Sequence, residues 1–225
     1  FFSVVPGQLK SPVVTLGVFD GMHRGHQALL GSLLKLARQI GGEAIAITFE
    51  RHPMEVLKGS SPPSIVPFAR RLSLLEKTGM DGCLTISFNR DVAEISATSF
   101  LEKHLVERIG MKGIVVGPHF KFGRQGSGNY SMLEKFSKKL GYKVVEISVS
   151  EMEGRRISST HVRKAVLQGE MEEARRMLGR PFSLIGRVVH GKKRGRLLGF
   201  PTANLSLTHE LLPPEGVYAG YAVIQ

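Results

Sequence analysis

The chain has 225 residues, 42% of them hydrophobic, one cysteine, and a formal net charge of +12 at pH 7. At about 150 residues per domain there is room for one domain and part of a second, with ample apolar material for a core. Cys83 alone excludes an internal disulfide and suits a reducing cytoplasm, no apolar run approaches the ~20 residues of a membrane span, and the opening FFSVVPGQLK lacks the charged-then-apolar order of a signal peptide.

Excess positive charge favours anionic partners (nucleotides, nucleic acid or a membrane surface), although a plain solvated surface would give the same total. The densest basic cluster, Lys192, Lys193, Arg194 and Arg196, has no interleaved aromatic residue on which bases could stack. Small phosphorylated ligands are therefore expected rather than nucleic acid or a membrane, and nothing implies an obligatory protein partner.

In chain order, apolar β-branched runs predict buried strands over Val13 to Phe19, Ala44 to Phe49, Cys83 to Phe88, Gly113 to Val116 and Lys143 to Ile147. Helical stripes lie between them: Leu29, Leu30, Leu33, Leu34 and Ala37; then Leu72, Leu74 and Leu75 after Pro67; then Phe100, Leu101, Leu105 and Ile109, with Thr98 or Ser99 as the cap. KGSSPPSIVP, residues 58–67, reads as a loop inside the domain. Alternation of this kind predicts an α/β fold, a parallel sheet with helices on both faces and ligands beyond the carboxyl ends of its strands. Ser158, Ser159 and Thr160 then open a helix over Val162 to Leu167, followed by MEEARRMLG. After Gly179 the character changes to short β-rich runs, RPFSLIGRVVHG, GFPTANL and GVYAGYAVIQ, so a boundary near 178–182 separates residues 1–180 from 181–225.

The stretch GVFDGMHRGH, residues 17–26, joins the first strand to the first helix. Gly21 and Gly25 permit a tight turn, and a helix beginning around Arg24 to Gln27 offers backbone N–H groups and a positive dipole end to phosphate. His23 and His26, three apart, project to one side of the first turn, able to donate to phosphate oxygens and more strongly if protonated. The spacing also suits zinc, but Cys83 is alone and His52, His104, His119, His161, His190 and His209 form no spaced pair to complete four ligands. A purely structural glycine turn stays open at this point.

G-x-F-D-G-x-H-x-G-H resembles the signature of the bacterial bifunctional riboflavin kinase/FAD synthetase family, within the HxGH nucleotidylyltransferases. Four further segments agree in order and spacing: TFERHP (48–53), VVGPHFKFG (115–123), RRISSTHVR (155–163) and GRLLGFPTAN (195–204). The resemblance spans nearly the whole chain. It implies a Rossmann-like nucleotidylyltransferase domain followed by part of an all-β flavokinase barrel, the substrates ATP, FMN and riboflavin, and Mg2+. It also implies that His23 and His26 meet the ATP phosphates, with Gly17, Phe19 and Gly21 shaping the nucleotide pocket and Lys121 nearby. Ser159, Thr160 and Arg163 would grip the outgoing pyrophosphate, with Arg156 as a weaker candidate, and His52 and Pro53 would face the flavin. The chain departs from the family pattern at His119 (usually Asp or Asn), Lys121 (often Arg), Asn129 (usually acidic) and His161 (commonly Arg).

GKKRGRLLGFPTAN reads physically as a basic, glycine-punctuated loop running into a strand, whose N–H groups could surround an anion. Thr202 and Asn204, two apart, would face one way on an extended strand and present hard oxygen donors suited to Mg2+, with Pro201 at the strand edge. By the resemblance, Gly195, Thr202 and Asn204 are the ATP–Mg2+ residues of riboflavin phosphorylation. The family's catalytic glutamate finds no counterpart before Gln225, Glu210 and Glu215 lying too early, so these 225 residues as given are expected not to phosphorylate riboflavin. A related nucleotidylyltransferase with another phosphorylated acceptor and a basic nucleic-acid-binding protein are the competing readings.

Overall fold

The computed structural model describes residues 7–148, 157–191, 199–200, 202–207 and 211–224. Five strands form one parallel sheet: β1 (Val13–Leu16), β2 (Ala44–Phe49), β3 (Gly82–Ile86), β4 (Gly113–Val116) and β5 (Lys143–Glu146), in the order β3-β2-β1-β4-β5. The pleat sends alternate residues to opposite faces. Val14, Leu16, Ile45, Ile47, Ile114 and Val116 face one core, and Val13, Ala44, Ala46 and Val115 face the other. Strands buried on both sides carry no polar alternation, which is why these runs were readable as continuous apolar segments.

α1 (Arg24–Ile40) covers the second face with Leu29, Leu30, Leu33, Leu36 and Ala37, and Gly41 closes it in the left-handed conformation. α2 (Pro53–Lys58) is a short helix that no apolar stripe announces, ending where the expected loop 58–67 begins, and α3 (Phe68–Glu76) follows as expected. After the single turn α4 (Arg90–Ala93), α5 begins at Ala97–Ser99 and widens into a π-wound stretch, Phe100–Arg108. Its cap is Ser96, whose side chain accepts from the Ser99 N–H, and not Thr98 or Ser99. α6 (Tyr130–Leu140) was also not anticipated; the Asn129 side chain caps it and Leu133 anchors it in the first core.

α7 (Ser159–Leu167) starts under a Ser158 cap, earlier than Val162, and α8 (Met171–Leu178) follows. These two helices share a third core with Ile65, Val66 and Ile157. β6 (Gly186–Val189) and β7 (Asn204–Leu207) make an antiparallel hairpin. The expected strand in GVYAGYAVIQ is absent over the described residues 217–224: a strand needs a paired neighbour, and Val217, Tyr221, Val223 and Ile224 are exposed. Among the described residues after Gly179, one is buried. Leu211 is 0% exposed and completes the third core against α7 and α8.

Leu211→Ala should therefore cost about 2–5 kcal/mol, as for other buried leucines truncated to a cavity. Urea denaturation would read this as a lowered midpoint. An unchanged midpoint would mean that Leu211 is not packed there.

Candidate functional site

β1 lies between β2 and β4, so the chain leaves its carboxyl end at the crossover point of the sheet. The strand stops at Leu16 rather than Phe19 because the backbone turns over: Phe19 (φ 52) and Met22 (φ 44) are left-handed although neither is glycine, and Gly21 lies at φ 80. A Cβ on Gly21 would also come within 2.9 Å of the Ile65 side chain. Gly17 leaves space for the Phe19 ring, which is fully buried and meets His26 edge-on, 5.3 Å between centroids.

His23 caps α1 with its imidazole: Nδ1 accepts the His26 N–H at 3.3 Å, which puts the ring proton on Nε2. The two imidazoles stack at 3.6 Å with an interplanar angle of 15°. The expected side-by-side projection takes this stacked form. Burial, with Arg163 and Arg180 nearby, lowers the His23 pKa from 6.5 to about 4. Burial, then the charges of His23 and Arg71, pushes His26 well below 6.5. Both rings are thus neutral donors near pH 7, so no strengthening by protonation is available there. His26 Nδ1 is buried without a partner, an open polar position inside the site.

The turn is held by a carboxylate that the sequence reading passed over. Asp20, 5% exposed, accepts the Ile65 N–H at 3.0 and 3.1 Å and the Val66 N–H at 3.3 Å, and meets Arg163 Nη2 at 2.7 Å. Arg163 Nε donates to the Pro63 carbonyl at 2.8 Å, and Ser159 Oγ donates to the Asp20 carbonyl at 3.0 Å. The N-terminus of α7 is therefore drawn to the same turn as that of α1. Thr160 is exposed beside Ser159, and the His161 ring nitrogen lies 3.0 Å from Ser158 Oγ.

Two further arginines were missed. Arg71 of α3, 6% exposed, donates to the carbonyls of Val18 (2.6 Å), Phe49 (3.0 Å) and Glu50 (3.3 Å), while its Nε has no partner. The hint was its place between Phe68 and Leu75 on the apolar face of a helix. Arg180 donates to the carbonyls of Gly21 and Met22. Beside the turn lies a pocket lined by Val18, Asp20, Glu50, His52, Phe68 and Arg71, with the Arg71 guanidinium 4.9 Å from the centre of the Phe68 ring. His52 reaches this pocket while capping α2, its Nδ1 accepting from Met54, and Pro53 opens that helix. Desolvation lowers the His52 pKa, with Arg163 adding to the effect.

The remaining expected residues make no recorded contact with the histidines or fall outside the described residues. Lys121 is exposed in the loop after β4, close to the left-handed His119, and Asn129 serves as a cap. Gly195, Arg156 and Pro201 fall outside the described residues. Thr202 and Asn204 are exposed on the hairpin; Asn204 pairs with Val189, and its amide lies so close to Gly191 that a Cβ there would collide with it. Among the described residues no group of three His, Cys, Asp or Glu side chains could hold a metal.

Strand order, with a glycine-broken turn at the crossover on which two helix N-termini converge, defines a Rossmann-like α/β protein. Residues 6–161 match the FAD synthetase family and residues 178–225 the riboflavin kinase family. Among curated proteins, a bifunctional riboflavin kinase/FMN adenylyltransferase of Buchnera aphidicola subsp. Schizaphis graminum is 39% identical over 93% of this chain and 68% of its own length. Proteins of the same name from Pseudomonas fluorescens and Escherichia coli K12 are 37% and 36% identical, each over 92% of this chain and 66% of theirs. The chain belongs to the bifunctional riboflavin kinase/FMN adenylyltransferase family, and it spans about two thirds of the length of these relatives. A crystal structure described as a macrolide-efflux protein from Streptococcus pneumoniae superposes with a TM-score of 0.81 at 32% identity, covering 95% of this chain and 70% of that one. No described helix here is long and apolar enough to cross a membrane.

The neutral histidines make stability depend on pH. Above 6.5 both folded and unfolded forms of His23 are uncharged; as pH falls toward 4 the unfolded chain binds a proton that the folded site refuses, so stability is lost. The full loss is about 3 kcal/mol, of which about 2 kcal/mol falls between pH 6.5 and 5, and His26 acts in the same direction. His23→Asn, which keeps a capping acceptor, should flatten this slope in denaturation measured over that range. Equal slopes would refute the assignment.

Proposed function

We propose that the chain transfers AMP from ATP to FMN, giving FAD and pyrophosphate, and that residues 181–225 supply the ATP side of a riboflavin kinase. The observation carrying this reading is the stacked, neutral imidazole pair at the start of α1, with an unpartnered Nδ1 on His26, surrounded by guanidinium groups. Family membership supports both activities. A phosphate oxygen of FMN attacks the α-phosphorus of ATP, and the bond to the β-phosphate bridging oxygen breaks. No covalent enzyme intermediate is needed, so catalysis consists of alignment and of stabilising charge as it develops.

His23 and His26 donate from neutral rings to the triphosphate, and Gly17, Phe19 and Gly21 shape the pocket behind them. Ser159 and Thr160, at the N-terminus of α7, receive the pyrophosphate. Arg163 contributes its charge from within its ion pair with Asp20 rather than as a free grip. Lys121 approaches the nucleotide from the carboxyl end of β4. His52 and Pro53 border the acceptor, for which the Phe68 ring and Arg71 offer a flat apolar surface and a cation.

Mg2+ fits the donors available. It is held largely by nucleotide phosphates and water, with one or two protein oxygens. The Thr202 hydroxyl and the Asn204 amide oxygen would hold it in the kinase module, where it neutralises phosphate charge. The Asn204 amide lies close against Gly191, where a side chain would collide with it. We place the module boundary at 180/181, supported by the end of α8 at Leu178 and the start of the riboflavin kinase match at 178. A cytoplasmic location follows from the phosphorylated substrates and the single thiol.

The test is FAD formation from FMN and ATP, followed chromatographically. His26→Ala should lower the rate by about 10² or more, taking a lost charge-stabilising contact as roughly 3 kcal/mol. A folded variant with a near-normal rate would reduce the histidines to a structural turn, and an inactive wild-type chain would overturn the adenylyl-transfer reading.

A further inference from the structure

Arg180 is a half-buried cation without a task in the reaction above. It follows Gly179, which ends α8, and stands where the chain leaves the first module. Its Nη2 donates to the Gly21 carbonyl at 2.8 Å, and its Nη1 to the carbonyls of Met22 and Leu178, both at 3.3 Å. Gln27 closes the same ring from α1: its Nε2 donates to Met22 at 2.9 Å and to Leu178 at 3.0 Å. The two carbonyls on the turn therefore belong to residues with positive φ, and Met22 is no glycine. Such a backbone persists only where its surroundings over-determine it. Met22 directly precedes His23, whose ring caps α1 and stacks on His26, so relaxation of Met22 would displace both imidazoles.

We propose that Arg180 is a positioning residue for adenylyl transfer, its forked guanidinium clamping the Gly21 and Met22 carbonyls so that the histidine pair stands ready for the triphosphate. This rests on the adenylyl-transfer reading. Lysine could not replace the clamp, because a compact ammonium lacks the planar fork that spans two carbonyls. Phe182, two residues beyond Arg180, packs into the α7–α8 core that Leu211 also joins, so the chain leaving Arg180 is anchored to α8. The last residue before the second module thereby positions the active site of the first.

The test compares full-length wild type, Arg180→Ala, Arg180→Lys and, as a control on α8, Arg175→Ala, whose exposed head pairs with Glu172. Arg180→Ala should lower kcat/KM for ATP by about thirtyfold or more, mainly through kcat, a shift of order 1 Å at a reacting group being worth up to 10². Deuterium uptake by the peptide covering residues 19–26 should accelerate about tenfold without ligands, while a peptide over β4 stays unchanged. Arg180→Lys should show the same two losses within a factor of about three, which keeps the question decidable if the alanine variant fails to fold. Arg175→Ala should match wild type throughout. Wild-type activity and turn exchange in either Arg180 variant would overturn the proposal. If wild type makes no FAD, the reading of the reaction fails, while the exchange comparison still decides the clamp.

Discussion

The carboxylate of Asp20 meets the guanidinium of Arg163 at 2.7 Å where both side chains are nearly closed to water. A buried pair of this kind is no great source of stability in itself, but removing either partner leaves an uncompensated charge at a cost of about 3–5 kcal/mol. That is a large share of the 5–15 kcal/mol that usually separates folded from unfolded chains. Its consequence is geometric. The remaining lone pairs of Asp20 are taken by Ile65 and Val66, and Arg163 reaches on to Pro63, so the first turn, the loop before α3 and the start of α7 share one fixed arrangement. Each of these segments contributes to the site, and none can shift without breaking a bond to a buried charge.

Around that pair the work is divided by chemical type. Arg71, Arg163 and Arg180 direct N–H groups onto backbone carbonyls and keep their positive charge beneath the site. The imidazoles, held neutral by burial and by those same charges, supply donors without adding charge of their own. A field of fixed cations acting on an anion needs no reorganisation when charge moves during a reaction. Neutral rings also leave the capping bond from His26 to His23 Nδ1 intact, which a protonated ring would lose.

The centre of the sheet was legible because β1, β2 and β4 are buried on both faces, so their apolar runs needed no alternation to be recognised; the edge strands β3 and β5 expose residues and showed shorter apolar runs. The end of β1 was misread for a local reason: Phe19 and Met22 adopt left-handed backbone that nothing in their side chains advertises. α6 carried a readable stripe in Leu133, Phe136 and Leu140 between Asn129 and Gly141, but the lysines among them diluted it. α2 buries none of its six residues and left no stripe to find. At the site, a local motif revealed the histidines and the start of α7. Asp20, Arg71 and Arg180 stayed hidden because their partners are distant in the chain; Asp20 and Arg163 are separated by 143 positions, and Arg180 and Gly21 by 159. Spacing along a sequence carries no trace of such pairs.

The left-handed residues of the first turn have a kinetic meaning as well. Their unfavourable backbone is paid for once, while the chain folds, so the turn stands as a preformed mould instead of a loop that must freeze around a ligand. On the proposed function, capture of a nucleotide there would carry little ordering entropy, and selectivity would become a matter of shape: a phosphate chain that does not match the mould would find no slack in which to be accommodated.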